Sequence, residues 1–281
     1  MTHILLSAVS SARSCVACLL LTLAFSLSAS EVRLEGQFVQ GGLVTGFTKP
    51  GARVTFEGRN VRVSEDGVFL IGFGRDAKPD ATLEIAFPDG RKSSRRLEVA
   101  RRDYRIQRID GLPPRKVTPK PEDLKRIREE YALVKAARRR DDPRTDFLRG
   151  FIWPAVGRIS GIYGSQRILN GEPRRPHFGV DVVAPVGTPV VAPADGVVTL
   201  VHADMFFSGG TLIIDHGHGL SSSFLHLSKV LVKERQQVKQ GELIARIGAT
   251  GRVTGAHLDW RMNLFDTRID PQLLVGAMSP N

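Results

Sequence analysis

Asp195-Gly196-Val197-Val198-Thr199-Leu200-Val201 and, after Ser208-Gly209-Gly210, Thr211-Leu212-Ile213-Ile214-Asp215 decide the fold. Each is a short β-branched run bounded by turn residues. That is the pattern of a strand; the apolar residues of a helix would recur every three or four positions. Similar runs follow at 222–227, 243–247 and 257–262, and Val190-Val191-Ala192 precedes them. Gly217-His218-Gly219 marks a further turn, and residues 146–281 contain no long helical pattern. This part of the chain is expected to be an antiparallel β-domain with loops long enough to build a cleft.

Upstream, residues 31–100 repeat the strand pattern on a smaller scale. Val32 to Phe38, Arg53 to Phe56, Val68 to Phe73 and Leu83 to Phe87 are separated by Gly41-Gly42, Pro50-Gly51, Asp66-Gly67 and Asp89-Gly90. Asp-Gly between apolar runs favours a tight hairpin, and several short strands at regular spacing predict a small sandwich. No cluster of catalytic residue types lies there. Residues 101–145 are different. They hold fifteen Lys or Arg against eight Asp or Glu, a net of +7 out of +11 for the whole chain. Gly111-Leu112-Pro113-Pro114 and Pro119 break regular structure. A helix is expected to begin near Pro121, with Glu122 and Asp123 at its start and Arg138, Arg139 and Arg140 at its end, signs that suit its dipole. Leu124, Ile127, Tyr131 and Val134 form a narrow apolar stripe for packing on a neighbouring domain.

Met1 to Ser30 holds one charged residue, Arg13, and an apolar core from Cys15 to Leu27, followed by Ser28-Ala29-Ser30. The core is short for a spanning helix and ends in small residues, the pattern of a cleaved secretory signal. Its removal leaves +10 and no cysteine, because Cys15 and Cys18 both lie within it. The mature chain then has no disulfide, thiolate nucleophile or cysteine metal site. Export across the inner membrane to a Gram-negative periplasm, without stable membrane insertion after the signal is removed, is the expectation. Nucleic acid is then excluded as a partner, and the basic 101–145 stretch is read as the solvated face of a linker, with attachment to anionic envelope polymers as the functional alternative. The expected organisation is a mainly β protein: signal 1–30, a β-sandwich-like domain 31–100, a basic linker with one helix 101–145, and an antiparallel β-domain 146–281.

The candidate chemistry is concentrated in that last domain. His177-Phe178-Gly179-Val180-Asp181 places two metal-ligating residue types four apart, and Gly179 and Pro185 favour an extended run that projects both from one face. His257 and Asp259, two apart on a strand, also share a face, and His226 lies on a third strand. A catalytic zinc keeps three protein ligands and an open position, and without cysteine those ligands must be His, Asp or Glu. Asp215-His216-Gly217-His218 also looks like a metal motif, but its turn residues account for it, and His202 has no partner at ligand spacing.

The segments His177-Phe178-Gly179-Val180-Asp181, Phe224-Leu225-His226-Leu227-Ser228 and Thr250 to Asp259 resemble the signature of the lysostaphin-type metallopeptidases, the M23 or LytM family. Ala184-Pro185-Val186-Gly187-Thr188-Pro189-Val190, Ala192-Pro193-Ala194-Asp195-Gly196-Val197-Val198 and Val238-Lys239-Gln240-Gly241-Glu242-Leu243-Ile244 fit as well, so that the resemblance covers about residues 152–271. It implies a LytM-like domain and a zinc endopeptidase, with one Zn2+ per chain, that hydrolyses peptide bonds in peptidoglycan stems or cross-links. By the same resemblance, His177, Asp181 and Asp259 are the metal ligands, with Asp259 as a non-ligand that is salt-bridged to Arg261 or caps a turn as the alternative, and His226 and His257 are the catalytic proton-transfer or oxyanion-stabilising residues. Arg167 and Asn170 occupy places resembling substrate contacts. The sequence departs from the family at Asp259, where histidine is usual. Aspartate is a competent zinc ligand, but a second carboxylate makes the metal a weaker Lewis acid. The alternative reading is a non-catalytic LytM-type module that binds peptidoglycan or activates another cell-wall hydrolase. A biotinyl or lipoyl carrier, also suggested by the Val-Val hairpins, would need a modifiable hairpin lysine that the chain lacks.

Overall fold

Val68, Phe69, Leu70 and Ile71 are buried on both sides of their strand, and that strand joins two cores. The structure is a computed structural model that describes residues 31–109, 120–169 and 171–278. The expected signal at 1–30, the breakers at 111–114 and Pro119, and Asn170 lie outside the described residues. Among the described residues no helix is long and apolar enough to cross a membrane.

The first seven strands are β1 (Arg33–Gly36), β2 (Leu43–Phe47), β3 (Arg53–Phe56), β4 (Arg59–Val61), β5 (Val68–Gly72), β6 (Asp80–Ala86) and β7 (Lys92–Glu98). They form two sheets, β1-β2-β5 and β4-β3-β6-β7. Alternation makes the sandwich. In β6, Ala81, Leu83 and Ile85 point inward while Thr82 and Glu84 point out. They meet Phe69 and Ile71 of β5 and Val44 of β2 in one core. The other face of the same sheet presents Leu43, Val68 and Leu70 to a second core, where they join Leu264 and Ile269. A strand covered on both faces reads as a continuous apolar run, which is why Val68 to Ile71 shows no polar alternation. The buried ion pair between Arg102 and Asp270, 2.7 Å, and the Asp270 amide donating to the Gly41 carbonyl, 2.8 Å, fasten the end of the sandwich to the C-terminal strands.

Two elements follow the sandwich, β8 (Ile106–Ile109) and α1 (Asp123–Arg138). The C-terminal part contains β9 (Arg158–Gly161), β10 (Gln166–Leu169), β11 (Glu172–Pro173), β12 (Val180–Val183), β13 (Pro189–Val191), β14 (Gly196–Met205), β15 (Gly209–Asp215), β16 (Leu220–Val230), β17 (Gln237–Val238), β18 (Leu243–Ile247), β19 (Leu258–Leu264) and β20 (Thr267–Ile269). Its principal sheet runs β17-β14-β15-β16-β19-β12-β9, antiparallel at each step, with β18 pairing β13 and β16 at one side. Leu212 and Ile214 point into the main core with Phe224, Trp260 and Val180. Ile213 points the other way, where Leu200, Met205 and Ala137 of α1 cover it. The protein is thus mainly β with antiparallel sheets, as its residue pattern predicts.

Two features differ from the expected linker. Residues 106–109 form strand β8, which pairs in parallel with β10 and so adds to the C-terminal part. The helix does form, but only the end of its stripe packs. Ala137 is buried and Val134 partly so, whereas Leu124 and Tyr131 remain exposed. Its first half is held instead by polar contacts: Arg126 pairs with Glu130 at 2.6 Å and with Asp204 at 3.1 Å, and Glu130 accepts the Phe206 amide at 2.8 Å.

His216 is structural, in line with the turn reading of its segment. It is fully buried, its Nδ1–H donates to the Asp195 carbonyl at 2.7 Å, and its Nε2 lies 2.7 Å from Ser222 Oγ. Burial pushes its pKa down to about 4. An unfolded histidine titrates near the ordinary value, so the native state gives up stability as the pH falls from about 6.5 towards 4. Asp215 beside it, pushed up to about 6 by burial against the opposing Arg144 charge, titrates with the opposite sign. A comparison with His216→Asn isolates the histidine. Denaturant unfolding should show the stability advantage of the parent over that variant shrinking by about 3 kcal/mol between pH 7 and pH 4; an advantage that stays level with pH would contradict the assignment.

Candidate metal centre

Asp181 and Asp259 face each other across an antiparallel pair, β12 on β19, with Val180 opposite Trp260 and Val182 opposite Leu258. His177 does not lie on the strand. It sits in the segment before β12, where its amide donates to the Ser165 carbonyl and its carbonyl accepts the Gly164 amide, each at 2.8 Å. The predicted shared face is therefore produced by a loop anchored to the segment before β10. Two glycines make the close approach possible. A Cβ on Gly161 would lie 2.1 Å from Asp181 Oδ2, and one on Gly179 would lie 2.5 Å from Asp259 Oδ1. That is the physical reason for the small residue between His177 and Asp181.

The three predicted ligands converge, with one ligand atom from each of His177, Asp181 and Asp259 lying within 4.8 Å of the others. His177 Nε2 and Asp181 Oδ1 are 3.3 Å apart. Both atoms are buried, and neither has a hydrogen-bond partner of acceptable geometry. Buried polar atoms are almost always satisfied, so such an orphaned pair calls for an explanation. Ligand atoms about 2.0–2.1 Å from a tetrahedral ion stand about 3.3 Å from one another, so the spacing fits a shared cation. Burial disfavours the charged His177 imidazole, but Asp181 and Asp259 outweigh it and hold its pKa above the ordinary value.

Asp259 carries a second partner. Arg261 Nε donates to its Oδ1 at 2.9 Å and to its Oδ2 at 3.1 Å, and a terminal nitrogen donates to Oδ2 as well. Burial alone would raise the pKa of this carboxylate, but the Arg261 fork outweighs it and holds the group below the ordinary carboxylate value. The carboxylate stays ionised and keeps lone pairs beyond those the fork uses, since two oxygens offer about four acceptor sites. The donor set therefore fits a divalent cation, with Asp259 shared between that cation and Arg261. Charge on this side of the sheet is otherwise positive. Arg138 of α1 donates to Ser223 Oγ at 2.9 Å, and burial, followed by Arg268 and Arg261, pushes its pKa well below the ordinary value.

The two remaining histidines lie together, with ring centroids 4.8 Å apart. His226 sits in β16 at an irregular step of the β15–β16 ladder and has φ +66°, unusual for a residue with a Cβ. Its amide donates to the Ser208 carbonyl at 2.8 Å, and its Nδ1–H donates to the Thr250 carbonyl at 3.0 Å. Thr250 Oγ1 in turn donates to the Leu227 carbonyl at 2.9 Å, closing the clamp. The neutral ring therefore carries its free lone pair on Nε2, and burial lowers its pKa, so that it is neutral at neutral pH. His257 is held in the same way, with Nδ1–H donating to the Gly255 carbonyl at 2.9 Å, and its Nε2 stands 3.9 Å from Asp181 Oδ1. Two imidazoles, each with its Nδ1 held by a backbone carbonyl, thus stand beside the three candidate ligands.

A groove of about 1100 Å³ opens onto this cluster, lined by His177, Asp181 and Arg261, and by Arg167 among the predicted substrate contacts. Arg105 and Gln107 also line it, and the reading of 101–145 as a linker gave no hint of that. Alternation in Arg105-Ile106-Gln107 was the available signal.

A chain with a two-sheet sandwich and a His/Asp cluster, on an antiparallel strand pair and the loop before it, that opens into a groove has the makings of a metallopeptidase. Residues 175–271 match peptidase family M23. A Pseudomonas aeruginosa protein of known crystal structure, assigned to peptidase M23, is 35% identical; the alignment covers 86% of this chain and 96% of that one, with a TM-score of 0.66. The chain belongs to peptidase family M23. It is also 41% identical over 102 residues to peptidoglycan DD-endopeptidase ShyA of Vibrio cholerae, a match covering 33% of this chain and 24% of that protein. It is 34% identical over 131 residues to cell division protein DipM of Caulobacter vibrioides, covering 44% of this chain and 21% of that one. The matches span between a fifth and a quarter of these two relatives.

The Arg261 fork gives a direct test of the electrostatics. Arg261→Met leaves the buried Asp259 carboxylate without its counter-charge, and the metal-free protein should lose about 3–5 kcal/mol in chemical denaturation. Added zinc should restore part of that loss. A variant as stable as the parent without metal would show that the pair contributes nothing.

Proposed function

We propose that this chain is an exported zinc metalloendopeptidase that hydrolyses peptide bonds in peptidoglycan stems or cross-links. The observation that carries the reading is the buried, unpartnered pair of His177 Nε2 and Asp181 Oδ1, 3.3 Å apart and opening into a groove. The peptidoglycan endopeptidase named among its relatives supports the substrate class. His177, Asp181 and Asp259 would hold one Zn2+, which when bound supplies a Lewis acid and lowers the pKa of water towards neutrality.

The chain's own groups do the rest. His226, neutral and with Nε2 as its acceptor, receives a proton at that atom, and the Thr250 carbonyl fixes the ring and stabilises the charge that results. His257, with Nδ1–H held by the Gly255 carbonyl, presents Nε2 on the same side and, once protonated there, donates to a developing oxyanion or leaving amine. Arg167 in the groove wall positions substrate. The leader-like Met1 to Ser30 supports export, with the periplasm as destination, and the basic 101–145 stretch supports contact with anionic envelope polymers.

One observation favours a second reading. Arg261 donates to both oxygens of Asp259, so a permanent cation already faces the third ligand. A chain that relied on it would be a non-catalytic module that binds peptidoglycan or activates another hydrolase. Purified peptidoglycan, incubated with the protein with and without zinc, separates the two. Zinc-dependent release of peptide fragments, lost in both His177→Ala and Asp259→Ala, is the expected outcome. No fragments from a protein that demonstrably binds peptidoglycan but no zinc would establish the second reading.

A further inference from the structure

The groove beside the candidate metal centre is lined by six arginines, Arg105, Arg167, Arg174, Arg175, Arg252 and Arg261, and by one carboxylate, Asp181. Arg261 is committed to Asp259. Among the described residues the other five have no carboxylate within ion-pairing distance, in a protein where many exposed arginines do. Arg33, Arg62, Arg91 and Arg126 are each ion-paired on the open surface. Five guanidinium groups without a carboxylate partner thus gather in one groove.

Its placement is built into the backbone. Strand β8 pairs in parallel with β10, setting Gln107 opposite Arg167, and β11 closes the other side of β10. Side chains at every second position share a face, so Arg105 and Gln107 emerge beside Arg167 on the groove side. The Arg174 amide donates to the Arg167 carbonyl at 2.8 Å, which brings Arg174 next to them, and its Nε is buried without a hydrogen-bond partner. Also in the lining, Arg252 lies over the Phe207 ring, 4.4 Å from its centroid, and Arg175 lies 5.5 Å from the centroid of Phe178. Stacking fixes a guanidinium plane while leaving its edge donors free for a ligand.

We infer that the β8–β10–β11 wall is a carboxylate-reading subsite, which selects peptide substrates carrying free carboxylates away from the scissile bond. Planar N–H forks match carboxylates in two-point contacts, which lysines would not provide. Like charges crowded in one cleft concentrate anionic ligands there. The occupant is a peptide because the groove leads to a peptidase cluster, and in that respect the inference rests on the function proposed above. Specificity would then depend on residues well outside the 175–271 family match, Arg105 and Gln107 foremost.

The test uses the full chain and a D-alanine-terminated stem tetrapeptide with its carboxylates free, against the same peptide with them amidated. Calorimetric titration should show the free acid binding about tenfold tighter or more, with an affinity that falls steeply with salt. Arg105→Gln with Arg167→Gln should bring the two affinities within about twofold while the thermal midpoint holds. Arg167→Lys, which keeps the charge and loses the fork, should fall between. Equal affinity for both peptides in the parent, a preference untouched by the substitutions, or inorganic phosphate displacing the free acid at equal concentration would each overturn the subsite. Hydrolysis of peptidoglycan without any preference for the free acid would overturn this inference and leave the enzyme standing. A preference without hydrolysis would do the reverse.

Discussion

Strand β5 has no solvent face, and much of the molecule follows from that constraint. Phe69 and Ile71 complete the sandwich core, and Val68 and Leu70 complete the core of the C-terminal sheet. Neither core can be finished without the other. The chain leaving the sandwich is therefore held from its first residues, with Arg102 paired to the buried Asp270. From there residues 106–109 pair as β8 with β10, in a small sheet of their own that β11 completes. The groove wall is thus a remote product of two apolar residues on one strand.

The site itself is organised by a contest over one carboxylate. Asp259 is the one of the three candidate ligands that has a partner of full strength, the Arg261 fork. His177 and Asp181 are left facing each other with buried atoms unsatisfied. A cation entering between them would relieve that penalty, and the same entry would bring positive charge towards Arg261. Affinity at this centre is the difference between those two effects. A family histidine at position 259 would offer no anchor for the fork, so Asp259 and Arg261 form one unit.

Much of this was legible in the chain. Runs such as Thr211 to Asp215 become strands because β-branched residues packed on both faces leave no helical period, and the His177, Asp181 and Asp259 spacing survives as real proximity. The stripe on α1 was misleading because periodicity reports an apolar face but not whether anything covers it; Tyr131 and Leu124 face solvent, and ion pairs at Asp204 hold the helix. Strand β8 was hidden by composition, since Arg105 and Gln107 are polar on the groove side and a four-residue strand carries little apolar signal. The left-handed backbone of His226 has no local sequence mark at all. It accompanies the irregular step in the β15–β16 ladder, where the ring is held by Thr250, twenty-four residues away.

The tether of His177 bears on interchangeability. Segment 175–271 contains every candidate ligand and both imidazoles, and similarity alone would treat it as a portable module. Yet the His177 backbone hangs on Gly164 and Ser165, and Gln166 in turn hangs on the carbonyl of Arg105. Transplanting the segment into another scaffold would carry the chemistry and leave behind the scaffolding that aims it. In this protein the modular boundary drawn by ancestry and the mechanical boundary drawn by hydrogen bonds fall some seventy residues apart.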